Sequence, residues 1–391
     1  MYSEAQLMQK LFDFETMFGR GGEIDLYFAP GRVNLIGEHT DYNGGKVLPM
    51  AITQGNYLYI RASELPPARL YSVNKESEAR FHPGELKKMN DWADYVRGVF
   101  LFSQEVCGKK LPPVDGMYFG DLPLDAGLSS SAALEMVTAL GMESIGCKLE
   151  MEQAVSVSRR AENEFVDVFC GVMDQFSIAF GKKGHAMLLD CDTLEYQHVP
   201  YNLKDVSLVI THSGIYRSLA ETPYNERKHE CDQALNAINK RLGENRQDLS
   251  HVTPIEYERV KYALPEKLAG RAEHVIYENV RVEEAARALR MGDAERLGHL
   301  MNRSHQSLRS LFEVSLPEID RLQEMSVEMR GVHGARMTGA GFGGCVITLI
   351  DNDAIDHFIR KMGEKYWQET HYEAEFIATG PGDGAHRVQP Q

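Results

Sequence analysis

Apolar positions recur along the chain at two different spacings, and these spacings predict which segments are helices and which are strands. Helical spacing marks residues 1–19, 128–146 and 151–169, while the short apolar runs at 185–190 and 206–211 are typical of strands. Both kinds of element occur in the same half of the chain. The pattern therefore predicts a mixed α+β fold.

The second half of the chain is mostly helical in pattern. From Thr222 to Met329 the sequence has long stretches of helical spacing that are rich in Ala, Leu, Glu and Arg. After them the pattern predicts, in order, a glycine-rich run at 338–344, a strand at 345–350, a helix at 354–367 and a strand at 373–378. We expect the tail after Gly380 to be loose.

The length of the chain predicts more than one domain. A sequence of 391 residues exceeds what one ordinary core supports, so we expect two packed domains. No repeat or Pro/Ser-rich linker marks the division, which we place between residues 195 and 220. The predicted domains are residues 1–205 and 206–391.

Composition narrows the classes of partner. Hydrophobic residues make up 43% of the chain and charged residues 25%, as in globular proteins. The net charge of −15 disfavours nucleic acid and anionic membranes, and no apolar run is long enough to span a bilayer. The six cysteines are far apart and show no zinc-binding spacing, so we expect free thiols in a reducing cytoplasm.

The densest polar segment is APGRVNLIGEHTDYNGG at residues 29–45. We expect a strand from Asp25 that breaks at Pro30 and Gly31, an apolar run, and then a glycine-bearing loop. Carboxylates and an imidazole on such a loop suit a polyhydroxyl ligand, because charged acceptors bind hydroxyl groups strongly. From composition alone, a solvated polar turn is equally compatible.

A second segment, LPLDAGLSSSAALE at residues 122–135, runs from a loop into a predicted helix. Free N–H groups and the helix dipole make such a start an anion site. The alternative is an ordinary N-cap, for which serine is a favoured residue.

Other polar residues are ambiguous without further context. Glu162 and Glu164 alone would be a solvated helix face, Asp174 a turn or cap residue, and Tyr224 a packing residue. The run at 339–344 fits Gly-x-Gly-x-x-Gly, but a strand follows it, so we reject a dinucleotide fold. The Walker and protein-kinase motifs are absent from the sequence.

Residues 29–45 closely resemble the galactokinase signature, within the wider group of galactose, homoserine, mevalonate and phosphomevalonate kinases. The resemblance implies a two-domain α+β kinase with its active site in the interdomain cleft. It implies transfer of the γ-phosphate of ATP to the C1 hydroxyl of D-galactose, giving galactose 1-phosphate and ADP in the Leloir pathway. The first domain would bind sugar and nucleotide, and the second would carry the glycine-rich motif. A cytoplasmic monomer is expected.

The resemblance also assigns the sugar site. Glu38, His39 and Asp41 would hold sugar hydroxyls, with Asp41 reading O3 and O4. Gly171 and Tyr224 match further sugar-binding positions of the family.

The serine-rich segment is similar to the phosphate-binding loop of the same kinases. The implied ATP-binding residues are Asp125, Ala126, Gly127, Leu128, Ser129, Ser130 and Ser131. Ser131 and Glu162 would hold Mg²⁺. Asp125 stands where the family usually has glycine, and its charge should repel phosphate unless it points away, so we expect Asp125→Gly to keep activity.

Two further residues match the catalytic positions of the family. Asp174 would face the C1 hydroxyl as proton acceptor, and Arg32 would sit at the transferring phosphate. Arg32 near Asp174 would also keep that carboxyl ionised.

Two alternatives remain open. A kinase for a related sugar, such as N-acetylgalactosamine or arabinose, could use the same scaffold. A galactose-sensing regulator without catalysis could also share it, although such a protein could dispense with Asp174 or shorten the serine loop, and this chain does neither.

Overall fold

The elements of the fold follow from a computed structural model that describes residues 2–123, 127–215 and 224–389. The helices are α1 (Glu4–Phe18), α2 (Asp94–Cys107), α3 (Ser130–Gly141), α4 (Met151–Arg160), α5 (Met173–Phe180), α6 (Tyr224–Leu242), α7 (Pro254–Val260), α8 (Glu266–Met291), α9 (Ala294–Ser307), α10 (Pro317–Val327) and α11 (Ile355–Thr370). Within the described ranges, no helix has the length and apolar character needed to cross a membrane.

The strands complete this order. They are β1 (Asp25–Asn34), β2 (Lys46–Val47), β3 (Pro49–Ala62), β4 (Ala68–Ser72), β5 (Ser77–Phe81), β6 (Val114–Gly120), β7 (His185–Asp190), β8 (Tyr196–Pro200), β9 (Val206–His212), β10 (Val332–Thr338), β11 (Cys345–Asp351), β12 (Glu375–Thr379) and β13 (His386–Arg387). The predicted mixed α+β class is confirmed.

The first sheet is six-stranded, in the order β13-β1-β3-β6-β4-β5. Successive side chains of β3 alternate between its faces, as the two-residue period of a strand requires. Tyr57 and Tyr59 join the aromatic cluster beneath α1, whereas Leu58 and Ile60 belong to the main core against α3. The sheet is therefore covered by helices on both faces.

The second sheet is four-stranded, in the order β10-β11-β9-β12, and a third sheet joins β2, β7 and β8. Strand β11 is buried on both faces: Cys345 and Ile347 contribute to the main core, and Val346 and Ile350 to a core among the helices of the second half. The sheet thus lies between the two cores. The boundary between residues 205 and 206 stays a prediction.

Strand β1 does not break at Pro30 and Gly31 as predicted. It continues to Asn34, and its register with β3 shifts between two pairs, Pro30 with Gly55 and Arg32 with Ala51, so the extra residues of this irregularity lie in β3. A Cβ at Gly31 would lie 2.9 Å from the Leu128 carbonyl oxygen, and the Arg32 amide donates to that oxygen at 3.1 Å. These contacts place the start of the sugar motif against the serine loop.

The chain after Gly380 is not loose over its described part, contrary to the sequence prediction. The Gly382 amide donates to the Ala51 carbonyl at 2.8 Å, and His386 and Arg387 of β13 pair with β1. Pairing to a strand from the other end of the sequence leaves no local signal, which explains the error.

The expectation of six free thiols is also wrong. Cys107 at the end of α2 and Cys147 form a disulfide, with their Cα atoms 5.9 Å apart. The two lie 40 residues apart in sequence, so their pairing depends on how α2 packs on the segment after α3. The free cysteines of the described residues are Cys170, Cys191, Cys231 and Cys345.

Candidate active site

The polar segments singled out in the sequence meet around one cavity of about 580 Å³. Its lining includes residues from the loop after β1, the serine segment at the start of α3, the turn before α5, the start of α6 and the glycine run at 338–344. Segments from both halves of the chain therefore enclose the same space. A concave polar cavity of this size is typical of a small-molecule site.

The loop after β1 is held at both ends by α8. The Gly37 amide donates to Glu278 at 3.0 Å, His274 Nε2 lies 3.0 Å from the Glu38 carbonyl oxygen, and the Lys46 amide donates to Asn279 at 2.8 Å. Three contacts from one helix fix the path of the loop. The side chains of Glu38, His39 and Asp41 consequently line the cavity.

Glu38 joins this loop to the glycine run. Its Oε1 accepts from the Gly339 amide at 2.5 Å and the Thr338 hydroxyl at 3.1 Å, while the Asn34 amide donates to Oε2. Burial raises the pKa of Glu38, although Arg336 acts against this rise. The residue lines the cavity and also ties the two halves together there.

His39 presents a neutral ring to the cavity. Nε2 lies 3.2 Å from the Ala340 carbonyl oxygen, which can only accept, so Nε2 carries the proton; Nδ1, 2.7 Å from the Tyr42 hydroxyl, then accepts. Burial, with His274 nearby, lowers the pKa of His39 to about 3. The backbone of His39 is left-handed, at φ 63°, which turns the chain from Glu38 toward Asp41.

Asp41 lies against Gly171. Burial and the nearby Asp174 carboxylate raise the pKa of Asp41 to about 7. Tyr224 closes the same end of the cavity, with its ring 5.5 Å from Tyr42 and 5.7 Å from His39 between centroids. The structure thus gathers the five residues of the predicted sugar site into one wall.

Arg32 and Asp174 form the centre of the cavity. Arg32 Nε donates to Asp174 Oδ1 at 2.7 Å and Nη2 to Oδ2 at 2.8 Å, the bidentate arrangement that suits a guanidinium and a carboxylate. Arg32 Nη1 also donates to the Gly127 carbonyl at 2.7 Å, and the Ser129 hydroxyl to Asp174 at 2.5 Å. The predicted catalytic pair therefore bridges the sugar wall and the serine segment.

The serine segment does not form an ordinary N-cap. Ser129 is the N-cap residue of α3, but its hydroxyl bonds to Asp174 and makes no capping bond. The first N–H groups of α3 are thus left uncapped by that side chain beside the cavity, which favours the anion-site interpretation. Gly127, Ser129, Ser130 and Ser131 line the cavity. The predicted residues Asp125 and Ala126 lie outside the described residues, and Leu128 is buried in the core.

Ser131 and Glu162 are adjacent at the far end of the cavity. The Ser131 hydroxyl donates to Glu162 Oε1 at 3.0 Å. Glu162 lies on a π-helical turn at Ala161–Val166 that extends α4, and burial raises its pKa. The sequence predicted helix through residue 169, but the pattern did not reveal this widened turn beside the cavity.

The oxygen atoms of Ser131 and Glu162 fit a magnesium ion that a nucleotide also holds. The described residues contain no cluster of three His, Cys, Asp or Glu suited to a metal ion, so the protein alone offers no full cage. Mg²⁺ in nucleotide sites needs only one or two protein oxygens beside phosphates and waters. The side chains that donate to Glu162 in the described part are neutral, so a cation would balance its charge.

Several cavity residues had no assigned role in the sequence analysis. Tyr95 at the start of α2 lines the cavity, as does Thr338, which donates to Glu38. Gln175 and Glu135 form a buried pair behind Glu162. Glu135 lies in the quoted segment 122–135, and its polar character on a predicted helix was the available signal; nothing in the pattern singled out Gln175 or Tyr95.

Three family models match segments of this chain, and each segment contains residues that line the cavity. Residues 13–62 match the model described as the galactokinase galactose-binding signature, residues 94–182 the GHMP kinases N terminal domain, and residues 284–368 the GHMP kinases C terminal model. The first match contains β1 and the sugar loop, and the second contains the serine segment, Glu162 and Asp174.

Individual relatives cover almost the whole chain. Galactokinase of Fusobacterium nucleatum is 41% identical over 384 residues, which are 96% of this chain and 98% of the relative. Galactokinase of Bacillus subtilis is 38% identical over 96% of this chain and 97% of the relative. A crystal structure of Lactococcus lactis galactokinase complexed with galactose superimposes with a TM-score of 0.92, at 36% identity, over 98% of this chain and 100% of that one.

Proposed function

The chain belongs to the galactokinase family of ATP-dependent sugar kinases, and we propose that its cavity transfers the γ-phosphoryl group of ATP to the C1 hydroxyl of D-galactose. The products are galactose 1-phosphate and ADP, so the protein acts in galactose metabolism. One observation carries the assignment to this cavity: Arg32 and Asp174 pair at the point where the sugar loop meets the serine segment.

The sugar binds at the wall formed by the loop after β1. Asp41, held beside Gly171, accepts bonds from O3 and O4, and ionised carboxylates are the strongest acceptors for hydroxyl groups. The neutral ring of His39 and the hydroxyl group of Tyr224 also contact the sugar. So does the Glu38 carboxyl group, which Thr338 and Gly339 already hold in place. Stereochemistry at C4 then decides which sugar fits.

The nucleotide phosphates bind at the start of α3. The backbone of Gly127 to Ser131 supplies N–H groups and the positive end of the helix dipole, and we include Asp125, Ala126 and Leu128 in this segment. Ser131 and Glu162 would hold the Mg²⁺ that accompanies ATP. When bound, the ion would neutralise phosphate charge and so ease attack by a hydroxyl group.

The side chains in the centre carry out the transfer. Asp174 accepts the proton of the C1 hydroxyl, at 26% side-chain exposure and beside the cavity. Arg32 fixes both oxygens of Asp174 and brings a positive charge to the position where the transferring group passes. Phosphoryl transfer to an alcohol requires mainly this positioning and charge balance.

The proposal also covers the division of the chain into domains, its oligomeric state and its location. We place the division of the chain at residue 205, where β8 of one sheet ends and β9 of another begins, with β13 returning to the first sheet. The catalytic, sugar-binding and metal-binding side chains named in this mechanism all come from one chain, and we propose that the protein acts as a monomer in the cytoplasm.

Coupled measurement of ADP release tests the function. The wild-type chain is assayed with galactose, glucose, N-acetylgalactosamine and arabinose, and Asp174→Asn serves as the control that keeps the shape of the site. We expect turnover with galactose above the other sugars and a loss of about 100- to 10,000-fold in Asp174→Asn. Binding of galactose without turnover would instead support a sensing protein, and preference for another sugar would overturn the substrate assignment.

A further inference from the structure

Behind Glu162 lies a second buried carboxylate, Glu135, which the reaction itself does not use. Glu135 is on α3, one turn after Ser131, and is fully buried. Gln175, also fully buried, stands between the two acids. Its amide nitrogen donates to Glu162 Oε2 at 2.8 Å and to Glu135 Oε2 at 3.1 Å.

The two acceptor oxygens, on Glu162 and on Glu135, determine which way the Gln175 amide faces. An amide has two N–H donors on one side and one acceptor oxygen on the other. With its nitrogen toward Glu162 and Glu135, both N–H groups have acceptors. The reversed amide would place its carbonyl oxygen against Glu162 and leave Glu162 without this donor. The Glu135 carboxyl therefore holds Gln175 in the orientation that donates to Glu162.

The contacts on Glu162 divide between its two oxygens. Oε2, on the buried side, accepts from Gln175 and from the Cys170 thiol at 3.2 Å. Oε1 accepts from the Ser131 hydroxyl at 3.0 Å, beside the cavity. The contacts on Oε2 thus leave Oε1 directed toward Ser131. A cation bound there would need Glu162 Oε1 and the Ser131 hydroxyl oxygen close together.

We propose that Gln175 is a positioning residue that sets the orientation of Glu162 for the divalent cation, and that Glu135 acts by orienting Gln175. The inference rests on the proposed role of Glu162 in binding the cation. It also explains why Gln175 directly follows Asp174 on α5: one helical turn places both the proton acceptor and the support of the cation ligand.

Binding of Mn²⁺ to the enzyme with ADP, followed by electron paramagnetic resonance, measures the cation site without turnover. We expect Gln175→Leu to weaken Mn²⁺ binding about 10- to 100-fold, the usual effect of removing a residue that orients a metal ligand. Galactose binding by calorimetry without metal or nucleotide should stay within about twofold, because the sugar wall is untouched. Gln323→Leu, which removes a buried glutamine of α10 that bonds to the Ala335 carbonyl, is the matched control and should leave Mn²⁺ binding unchanged.

Two variants of Glu135 separate positioning from a general structural effect. Glu135→Gln keeps an acceptor oxygen for Gln175 and should bind Mn²⁺ nearly as the wild type does. Glu135→Leu removes that acceptor and should weaken Mn²⁺ binding in the same direction as Gln175→Leu. It also carries the test if Gln175→Leu does not fold.

The variant Glu162→Gln separates the positioning role of Gln175 and Glu135 from the proposed role of Glu162 in binding the cation. If Glu162→Gln loses Mn²⁺ while Gln175→Leu and Glu135→Leu keep it, the positioning role is overturned and the proposed cation site stands. If Glu162→Gln also keeps Mn²⁺, both the cation site and the inference fall. Loss in Glu162→Gln, Gln175→Leu and Glu135→Leu, with galactose binding intact, is the expected result.

Discussion

Gly171 lies so close to Asp41 that a Cβ atom at Gly171 would stand 2.1 Å from Asp41 Oδ2. Real side chains do not approach to this distance, so position 171 must lack a side chain if Asp41 is to keep its place. This contact gives a physical reason for a glycine in the sugar wall that the sequence suggested only through resemblance.

Gly171→Ala should therefore act on the sugar and not on the nucleotide. The new methyl group must displace the Asp41 carboxylate, and we expect the KM for galactose to rise at least about tenfold, equal to about 1.4 kcal/mol of binding. The KM for ATP should stay nearly constant. Steady-state kinetics with each substrate varied in turn checks this, and equal increases in both KM values would contradict it.

Gly363→Ala is the matched control for that change. Gly363 lies inside α11, and its nearest neighbour, a Phe376 ring carbon, would be 3.5 Å from a new Cβ, an ordinary contact. Alanine in a helix interior is favoured over glycine, so we expect a gain of about 0.5–1 kcal/mol in the free energy of unfolding. Chemical denaturation measures the gain, and both KM values should be those of the wild type.

Arg32→Lys tests the two-point contact with Asp174. Lysine keeps the positive charge but has no planar pair of donors, and it cannot also reach the Gly127 carbonyl in the same geometry. We expect kcat to fall about 100-fold or more, with a smaller effect on galactose binding. A variant with kcat near that of the wild type would show that charge alone suffices at this position.

The sequence predicted residues that line the cavity better than it predicted the contacts that support them. Glu38, His39, Asp41 and Asp174 could be singled out because they stand in continuous segments that resemble the family. Their supports come from remote parts of the chain: α8 holds the sugar loop, and the glycine run holds Glu38. Spacing within one segment contains no information on such contacts, because the packing of separate elements determines them.

The errors in the predicted fold also come from contacts between remote parts of the chain. Strand β13 pairs with β1 although more than 300 residues separate them, and the Cys107–Cys147 disulfide joins elements that only packing brings together. Local patterns correctly predicted β7 at 185–190, since a short apolar run between turn residues is a local signal. Strand β1 shows the limit of such signals, because a Pro-Gly pair is compatible both with the end of a strand and with a strand that continues through a register shift.

Galactose binding should depend on pH through Asp41. Its pKa of about 7 in the sugar-free fold means that the carboxyl is largely neutral below pH 7 and ionised above it. In the proposed function the ionised form accepts the sugar hydroxyls, so we expect affinity to rise from about pH 5.5 and to level off above about pH 7.5. His39, with its pKa lowered to about 3, stays neutral throughout this range and does not contribute.

Calorimetry of galactose binding without nucleotide measures this dependence. Asp41→Asn should bind more weakly and without the same rise. The stability of the sugar-free protein should move the other way: a carboxyl with a raised pKa favours the folded state at low pH, and this contribution is lost as pH rises from about 4 through 7. An affinity independent of pH in the wild type would show that Asp41 does not change its ionisation in this range.

The contact of α8 with the sugar loop gives a last prediction, on stability. Glu278 is fully buried, accepts from Gly37 and Ser304, and pairs with Arg281 at 2.6 Å; burial alone would raise its pKa, but Arg281 and neighbouring positive groups lower it to about 2. Glu278→Ala leaves the Arg281 charge buried without this partner, so we expect a loss of about 3–5 kcal/mol in the free energy of unfolding.

Arg287→Ala on the same helix is the control. Its pair with Glu283 is 3.7 Å long and exposed, and such surface pairs contribute less than about 1 kcal/mol. Denaturation of both variants, with and without galactose, completes the test. Since Glu278 also fixes Gly37 at the start of the sugar loop, galactose should stabilise Glu278→Ala less than it stabilises Arg287→Ala. Equal stabilisation by galactose would mean that the loop keeps its conformation without Glu278.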